Sequence, residues 1–291
     1  MTARFLWLGK GAFYMARQRE VDFSFWNEQW KQNYIEREQR IRSNPLIDYW
    51  DKRARDFSLM RKSNDYDFGR KVYAALSGVL HPDATMLDIG AGPGSFTVPF
   101  AQKIKFVTAV EPSKGMADVL RENVKEAGVE NITVIEALLE DLPQDPSHDF
   151  QFDLVAISLV LWMFPDVWPR ILQMERYAKG SCVIVAGIPD WKNPGVTGNT
   201  DVEEFQVLYN MLISQGRFPH VDIIDYKCER TVADEIACRE LMYEQYEQDL
   251  TLEAEENIRR EVVAGAKDGM CLIASRSAVI RWDPREVVLK D

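Results

Sequence analysis

The chain has 291 residues, of which 46% are hydrophobic and 28% charged, and a formal net charge of -11. This length suits one large domain with additions, and its core is big enough to stand without disulfides. An acidic body of this size argues against broad contact with nucleic acid, whose phosphates need cations.

The charge is uneven. Residues 1–80 hold 15 Lys/Arg against 10 Asp/Glu, a balance of +5 that leaves -16 on the rest. The basic N-terminal part could meet an anionic substrate or partner, or be a solvated helix surface. Cys182, Cys228, Cys238 and Cys271 form no CxxC pair and read as buried, reduced thiols. His81, His148 and His220 are too scattered for a metal cluster, so no metal is expected. No segment has about 18 uninterrupted apolar residues. The apolar start, "MTARFLWLGKGAFYMARQRE", is interrupted by Arg4 and Lys10 and has no small-residue cleavage site. The expectation is a cytoplasmic protein without a membrane partner.

In chain order, residues 1–65 read as an N-terminal helical arm. Phe23, Trp26, Trp30 and Tyr34 recur at three- and four-residue spacing and form an aromatic stripe on one helix face. Such a stripe packs on its own domain, on a second copy in a homodimer, or over a ligand pocket. Asn44-Pro45 breaks the chain. Two further helical stretches follow, "LIDYWDKRARDFSLM" and "DYDFGRKVYAALSGVL".

From residue 84 short apolar runs alternate with helical stretches. "ATMLDIG", "KFVTAVE", "NITVIEA", "FDLVAISLVLW" and "SCVIVAGI" read as strands. "SFTVPFAQKI", "SKGMADVLRENVKEAG" and "VWPRILQMERYA" read as helices. This alternation predicts an α/β fold, a doubly wound and mostly parallel sheet with helices on both faces. Two later strands, "VDIIDYKCERTV" and "MCLIASRSAVIRW", bring the count to seven. A helical insertion at about 232–268 stands before the last strand, inside a domain running over 66–291.

The first strand ends in "LDIGAGPGSF", with Gly90, Gly92 and Gly94 in the turn to the next helix. Glycine permits positive φ and close approach of a ligand to the backbone. The helix N-terminus beyond offers free N–H groups to a carboxylate or phosphate. The spacing is GxGxG rather than the GxGxxG of dinucleotide binders. Asp88, just before the glycines, suits a cationic amine better than a pyrophosphate. Glu111 ends the second strand, where an acid can take both hydroxyls of a ribose. A ligand with a ribose, an amine and a carboxylate is the expectation.

"LDIGAGPGSF" followed by "VTAVEPSKGM" resembles the class I S-adenosylmethionine-dependent methyltransferases. The next three strand segments match that family in order, and the likeness covers roughly residues 66–190. The resemblance implies a Rossmann-like methyltransferase fold with S-adenosylmethionine as cofactor and S-adenosylhomocysteine as product. By position it implies that Asp88, Gly90, Ala91, Gly92 and Gly94 line the methionine part. Glu111 would hold the ribose, with Pro112 and Met116 near the adenine. Leu138 and Leu139 occupy the adenine-edge position, where many relatives have an acid at Leu138. Ser158 and Leu159 would sit beside the transferred methyl. "DYWDKRARDF" resembles the helix that closes over the cofactor in many small-molecule members. Tyr49, Trp50 and Arg53 are its candidates, with Arg53 reaching the methionine carboxylate.

The position after the fourth strand reads "ISLVLWMF", not the N/D-P-P-Y/F turn of amino-methylating nucleic-acid enzymes, and no Pro-Cys nucleophile occurs. A small-molecule acceptor is therefore expected. The methyl carrier is already activated, so alignment can suffice and a base is optional. His81, His148 and His220 are expected at the amino ends of the strands, away from the site. Asp190 is the candidate base or amine anchor, and Trp162 the candidate acceptor wall, with Trp191 beside it. Tyr66 and Asp67 are further candidates for the wall. Two other readings stay open: an RNA or protein methyltransferase docking through the basic arm, and a non-catalytic cofactor-binding subunit. A nicotinamide-dependent oxidoreductase is disfavoured by Asp88 and the glycine spacing.

Overall fold

The computed structural model describes residues 22–41, 46–145, 147, 151–188, 201–246 and 249–287. Three helices come first: α1 (Phe23–Glu38), α2 (Leu46–Lys62) and α3 (Asp67–Leu76). The sheet then begins with β1 (Thr85–Ile89), α4 (Thr97–Ala101), β2 (Phe106–Val110), α5 (Lys114–Glu126) and β3 (Ile132–Ile135). It continues with β4 (Phe152–Ser158), α6 (Trp168–Tyr177), β5 (Ala178–Gly187) and α7 (Asp201–Ser214). The last elements are β6 (His220–Thr231), α8 (Val232–Tyr246), α9 (Leu252–Gly265) and β7 (Met270–Trp282).

The seven strands lie in the order β3-β2-β1-β4-β5-β7-β6. Strands β1 to β5 pair in parallel, and β7 runs antiparallel to both β5 and β6. This is the mostly parallel, doubly wound sheet expected from the alternation. The chain winds outward from β1 through β2 to β3, then returns to place β4 on the other side of β1. The reversal opens a crevice beyond the carboxyl ends of β1 and β4.

Alternation along each strand divides the core in two. Leu87, Ile89, Val155, Ile157 and Ile184 pack with Ile171 and Met174 of α6 and with Leu208 and Met211 of α7. Met86, Leu154, Ala156 and Val183 turn to the other face, against Phe68, Val72 and Leu76 of α3 and Phe100 of α4. The strands are apolar on both faces because both are covered. Helix α5 joins the second face through Leu120, which packs with Ala91, Val98 and Ala109. Its first turn is fixed by Ser113, whose hydroxyl accepts the Met116 N–H.

The β6–β7 ribbon outgrows the sheet. Strand β5 pairs with β7 only as far as Gly187 opposite Ser277, while β6 and β7 stay paired to Thr231 opposite Met270. Helices α8 and α9 join the ends of this projection, where the pattern predicts the insertion. Ile236 of α8, Val262 of α9 and Cys271 of β7 form a small core of their own.

Helix α2 lies between α5 and this projection. On one side Ala54 packs with Met116 and Val119, flanked by Trp50 and Phe57. On the other, Asp56 accepts from Arg53 at 2.9 Å and from Arg230 of β6 at 3.3 Å, while Arg230 also meets Glu235 of α8 at 3.0 Å. Two buried cations and two carboxylates balance here, as burial of charge requires. One turn on, the guanidinium of Arg61 lies 4.8 to 5.3 Å from the ring centres of Phe57, Phe68 and Tyr226. These cation–π contacts tie α2 to α3 and β6.

The aromatic stripe of α1 is seated on its own chain. Trp30 is 3% exposed within the core that holds α6 and α7, and Phe23 and Trp26 pack at its edge. The four cysteines are buried and free. Among the described residues no helix is long and apolar enough to cross a membrane, and no cluster of metal-ligating side chains occurs.

Candidate functional site

The glycine turn sits at the carboxyl end of β1, on one lip of the crevice. Gly90, Gly92 and Gly94 all have positive φ, at 71°, 55° and 90°. A side chain at Gly90 would meet Val160 of the opposite lip at 2.6 Å, so the two lips touch there. A side chain at Gly94 would strike Leu120 at 2.5 Å, whereas Gly92 faces open space. The bare backbone at Gly92 is therefore free for a ligand rather than spent on packing.

Asp88 lies directly beneath, fully buried. Its Oδ2 accepts from the Thr97 hydroxyl at 2.5 Å, and its Oδ1 has no partner. Burial pushes its pKa up to about 7, the Thr97 hydroxyl opposes the shift and the nearby Glu111 adds to it. A buried carboxylate oxygen without a donor calls for a positive or hydrogen-bonding ligand.

Glu111 at the end of β2 is 6% exposed, and both oxygens are braced. The Gly92 N–H donates to Oε2 at 2.7 Å, and the Ser113 N–H donates to Oε1 at 2.8 Å. Burial raises its pKa, while these two amides hold it down. Each oxygen keeps a lone pair for an outside donor. Helix α2 reaches the same corner. Asp51 Oδ1 accepts from Ser113 Oγ at 2.6 Å and from the Gly115 N–H at 2.8 Å. Trp50, next to it, has a buried Nε1 without a partner.

Close packing behind the turn comes from α3. A side chain at Gly69 would fall 2.3 Å from the Ser95 carbonyl oxygen, a backbone atom that cannot swing aside. Gly69→Ala is expected to cost about 1–3 kcal/mol of stability, the usual range for overpacking. Urea unfolding would measure it, and an unchanged midpoint would show that the contact yields freely.

The other lip is the chain leaving β4. Leu159 has φ +60°, unusual for a leucine, and Val160 follows it against Gly90. A tight turn over Leu161–Met163 comes next. The Trp162 Nε1 donates to the Leu159 carbonyl at 2.9 Å. Its ring carries the guanidinium of Arg37 at 5.1 Å.

The structure brings together most of the residues singled out in the sequence. Asp88, Gly90, Ala91, Gly92, Gly94, Glu111 and Pro112 stand on the β1 and β2 side of the crevice, and Ser158 and Leu159 on the β4 side. Met116 and Trp50 meet between α5 and α2. Leu138 is 45% exposed, whereas the Leu139 side chain is buried in the core under α6. Of these two, expected at the adenine edge, Leu139 faces the core and Leu138 faces solvent. Arg53 is buried, bonded to Tyr49 Oη at 2.8 Å and to Asp56, with its charge balanced by that carboxylate. Asp67 pairs with Lys71 and accepts the Lys227 N–H of β6, so it faces β6 rather than a pocket. Tyr66 packs beside Ala91 and Val98. Asp190 and Trp191 lie outside the described residues, as does His148. His81 and His220 line a groove at the opposite end of the sheet with Asp153, Lys179 and Arg281. Sequence reasoning passed over Val160, Thr97, Asp51 and Arg37. Only Thr97, one turn after the glycines, carried a local signal.

Residues 86–178 match the family model described as a methyltransferase domain. With the sheet order and the glycine turn, this part of the chain is a class I methyltransferase domain. Among curated proteins, the chain is 30% identical over 106 residues to the 23S rRNA (uracil(1939)-C(5))-methyltransferase RlmD of Enterobacter sp. (strain 638), covering 35% of this chain and 25% of that protein. It is 30% identical over 108 residues to the malonyl-[acyl-carrier protein] O-methyltransferase of Serratia marcescens, covering 37% and 39%. The chain spans between about a quarter and two fifths of the length of the curated relatives it matches. Among solved structures, a candidate methyltransferase of Bacillus halodurans C-125 superposes with a TM-score of 0.51 at 17% identity, covering 74% of this chain and 98% of that one. That likeness bears on the fold alone.

Proposed function

We propose that the protein is an enzyme that transfers the methyl group of S-adenosylmethionine to a small-molecule acceptor. One observation carries the cofactor reading. A buried carboxylate with an unpartnered oxygen, Asp88, lies under an open glycine backbone, and a doubly braced carboxylate, Glu111, stands across from it. Asp88 would take the amine, the turn at Gly90 and Gly92 the amino-acid tail, and Glu111 the ribose hydroxyls. Met116 and Leu138 would border the adenine, with the Trp50 N–H beside Met116 as α2 covers the corner, and Arg53 would reach the tail only by leaving Asp56 or Tyr49.

The cofactor supplies an electrophilic methyl group on a sulfonium. The residues described here would align it, with Leu159 and Val160 closing the crevice from the β4 side. Asp190 remains the candidate for an acceptor anchor or base.

The small-molecule reading draws on how the basic N-terminal charge is spent. Lys31 pairs with Asp166, Arg53 with Asp56, Arg55 with Glu122, Lys62 with Glu126, Arg70 with Asp65 and Lys71 with Asp67. A cation already paired within the chain must leave its partner to meet a phosphate, so these six favour nucleic acid less than free cations would. The acidic remainder adds to this. One relative is an rRNA methyltransferase and another acts on a carrier-bound malonyl group, so the acceptor is the part to be measured.

Calorimetric titration with S-adenosylmethionine and S-adenosylhomocysteine tests the reading, followed by a mass screen of small acceptors beside RNA. Micromolar binding and a methylated small product are expected. Binding of neither ligand would sink the cofactor reading, and a methylated RNA would overturn the acceptor class.

A further inference from the structure

Helix α1 is fastened along the chain that leaves β4. Phe23, Trp30 and Arg37 are seven residues apart and so share one face of α1. The Phe23 ring meets Trp168 edge-on at 4.9 Å. The Trp30 Nε1 donates to the Phe164 carbonyl at 2.9 Å. Arg37 Nη1 donates to the Trp162 carbonyl at 2.5 Å and its guanidinium faces the Trp162 ring. The two segments run in opposite directions, so Arg37 is the contact nearest β4.

From Trp162 the contacts lead inward. Its indole N–H holds the carbonyl of Leu159, the residue with φ +60°. Such a backbone is strained for a leucine and persists only where its surroundings hold it. The turn at Leu159 sets Val160 against Gly90, across the crevice between β1 and β4. An unbroken line of contacts therefore joins an N-terminal helix to both lips of the site.

We infer that Arg37 is a positioning residue: by gripping Trp162 it seats Leu159 and Val160, and so sets the spacing of the crevice where the amino-acid tail of the cofactor lies. This rests on the cofactor reading proposed above. Arginine suits the place because one planar group can lie on a ring while an N–H reaches a carbonyl.

The test compares two ligands in calorimetric titrations. S-adenosylhomocysteine has the tail that crosses the crevice. 5′-Methylthioadenosine shares its adenine and ribose and lacks the tail. Arg37→Met is expected to weaken S-adenosylhomocysteine about tenfold, the equivalent of one lost hydrogen bond, and to leave methylthioadenosine unchanged. Arg37→Lys, which keeps one donor, should recover part of the loss. Trp162→Phe, which keeps an aromatic ring under Arg37 and deletes the N–H, should show the same selectivity, and it carries the test if Arg37→Met folds poorly. Equal weakening of both ligands would make Arg37 a general stabiliser and overturn the inference, as would no change in either. If the wild-type protein binds neither ligand, the cofactor reading falls and this inference with it. Wild-type binding without altered selectivity in the variants overturns the inference alone.

Discussion

Glu111→Ala is expected to weaken S-adenosylhomocysteine binding by at least about a hundredfold. The two ribose hydroxyls would donate to a carboxylate that the Gly92 and Ser113 amides hold in place at 2.7 and 2.8 Å. Hydrogen bonds to a charged group are worth about 1.5–3 kcal/mol each, so losing two exceeds the roughly 2.7 kcal/mol of a hundredfold change. The variant also leaves two backbone donors at the turn without their partner. Glu111→Gln should fall between, because its amide keeps one acceptor and turns an N–H toward a backbone N–H. Calorimetry on both variants measures the effect. Equal affinity in wild type and Glu111→Ala would remove Glu111 from the ligand.

Asp88→Asn is expected to separate stability from binding, through pH. The carboxyl of Asp88 holds its proton up to about pH 7, against an ordinary value of 3.8. Between those two pH values the folded state binds a proton that the unfolded chain has released. Stability therefore falls as pH rises through this window, and the loss is complete above pH 7. A shift of this size is on the order of 4 kcal/mol. Asparagine has no such proton, so the variant should lose little stability between pH 5 and pH 8, while wild type loses the share of the shift above pH 5, roughly 2.5 kcal/mol. Urea unfolding at the two pH values checks this. Binding runs the other way. If the ionised carboxylate receives the ligand's amine, wild-type affinity climbs with pH up to about 7 and levels off, and the variant is weaker and flat. The same pH profile in both proteins would show that Asp88 does not meet a charge.

The parts of this fold legible in the sequence are those fixed by local pattern. The parallel strands show as apolar runs because the central ones, β1 and β4 above all, are covered on both faces, and "DIGAGPGSF" marks the turn because glycine adopts φ values of 71°, 55° and 90° without the strain a side chain would add. The insertion shows as two helical stretches. Placing β7 between β5 and β6 is decided by pairing between distant strands, and no local pattern carries it. The site divides in the same way. Asp88 and Glu111 stand at strand ends, where topology assigns them. The burial of Leu139, beside exposed Leu138, depends on which way one short turn rolls against α6. The stripe on α1 was readable, but not what it covers, and nothing local marks a leucine such as Leu159 for a left-handed backbone. Tyr49 and Arg53 read as candidates on one helix near the cofactor, and their bond to each other does not show in the sequence. The balance of Arg53 and Asp56 with Arg230 and Glu235 needs β6 and α8 in place.

That last arrangement bears on how the chain is made. Asp56 and Arg230 are separated by 174 residues, and the Asn64 side chain donates to the Lys227 carbonyl across 163. While the chain leaves the ribosome, the glycine turn and Glu111 can gather as soon as β1 and β2 have emerged. Helix α2 can meet α5 soon afterwards through Ala54 and Asp51, but its ion pair with Arg230 waits for β6. A nascent chain thus carries the glycine turn and both strand-end carboxylates well before the last fastening of α2, which is made by residues translated more than a hundred and fifty positions later.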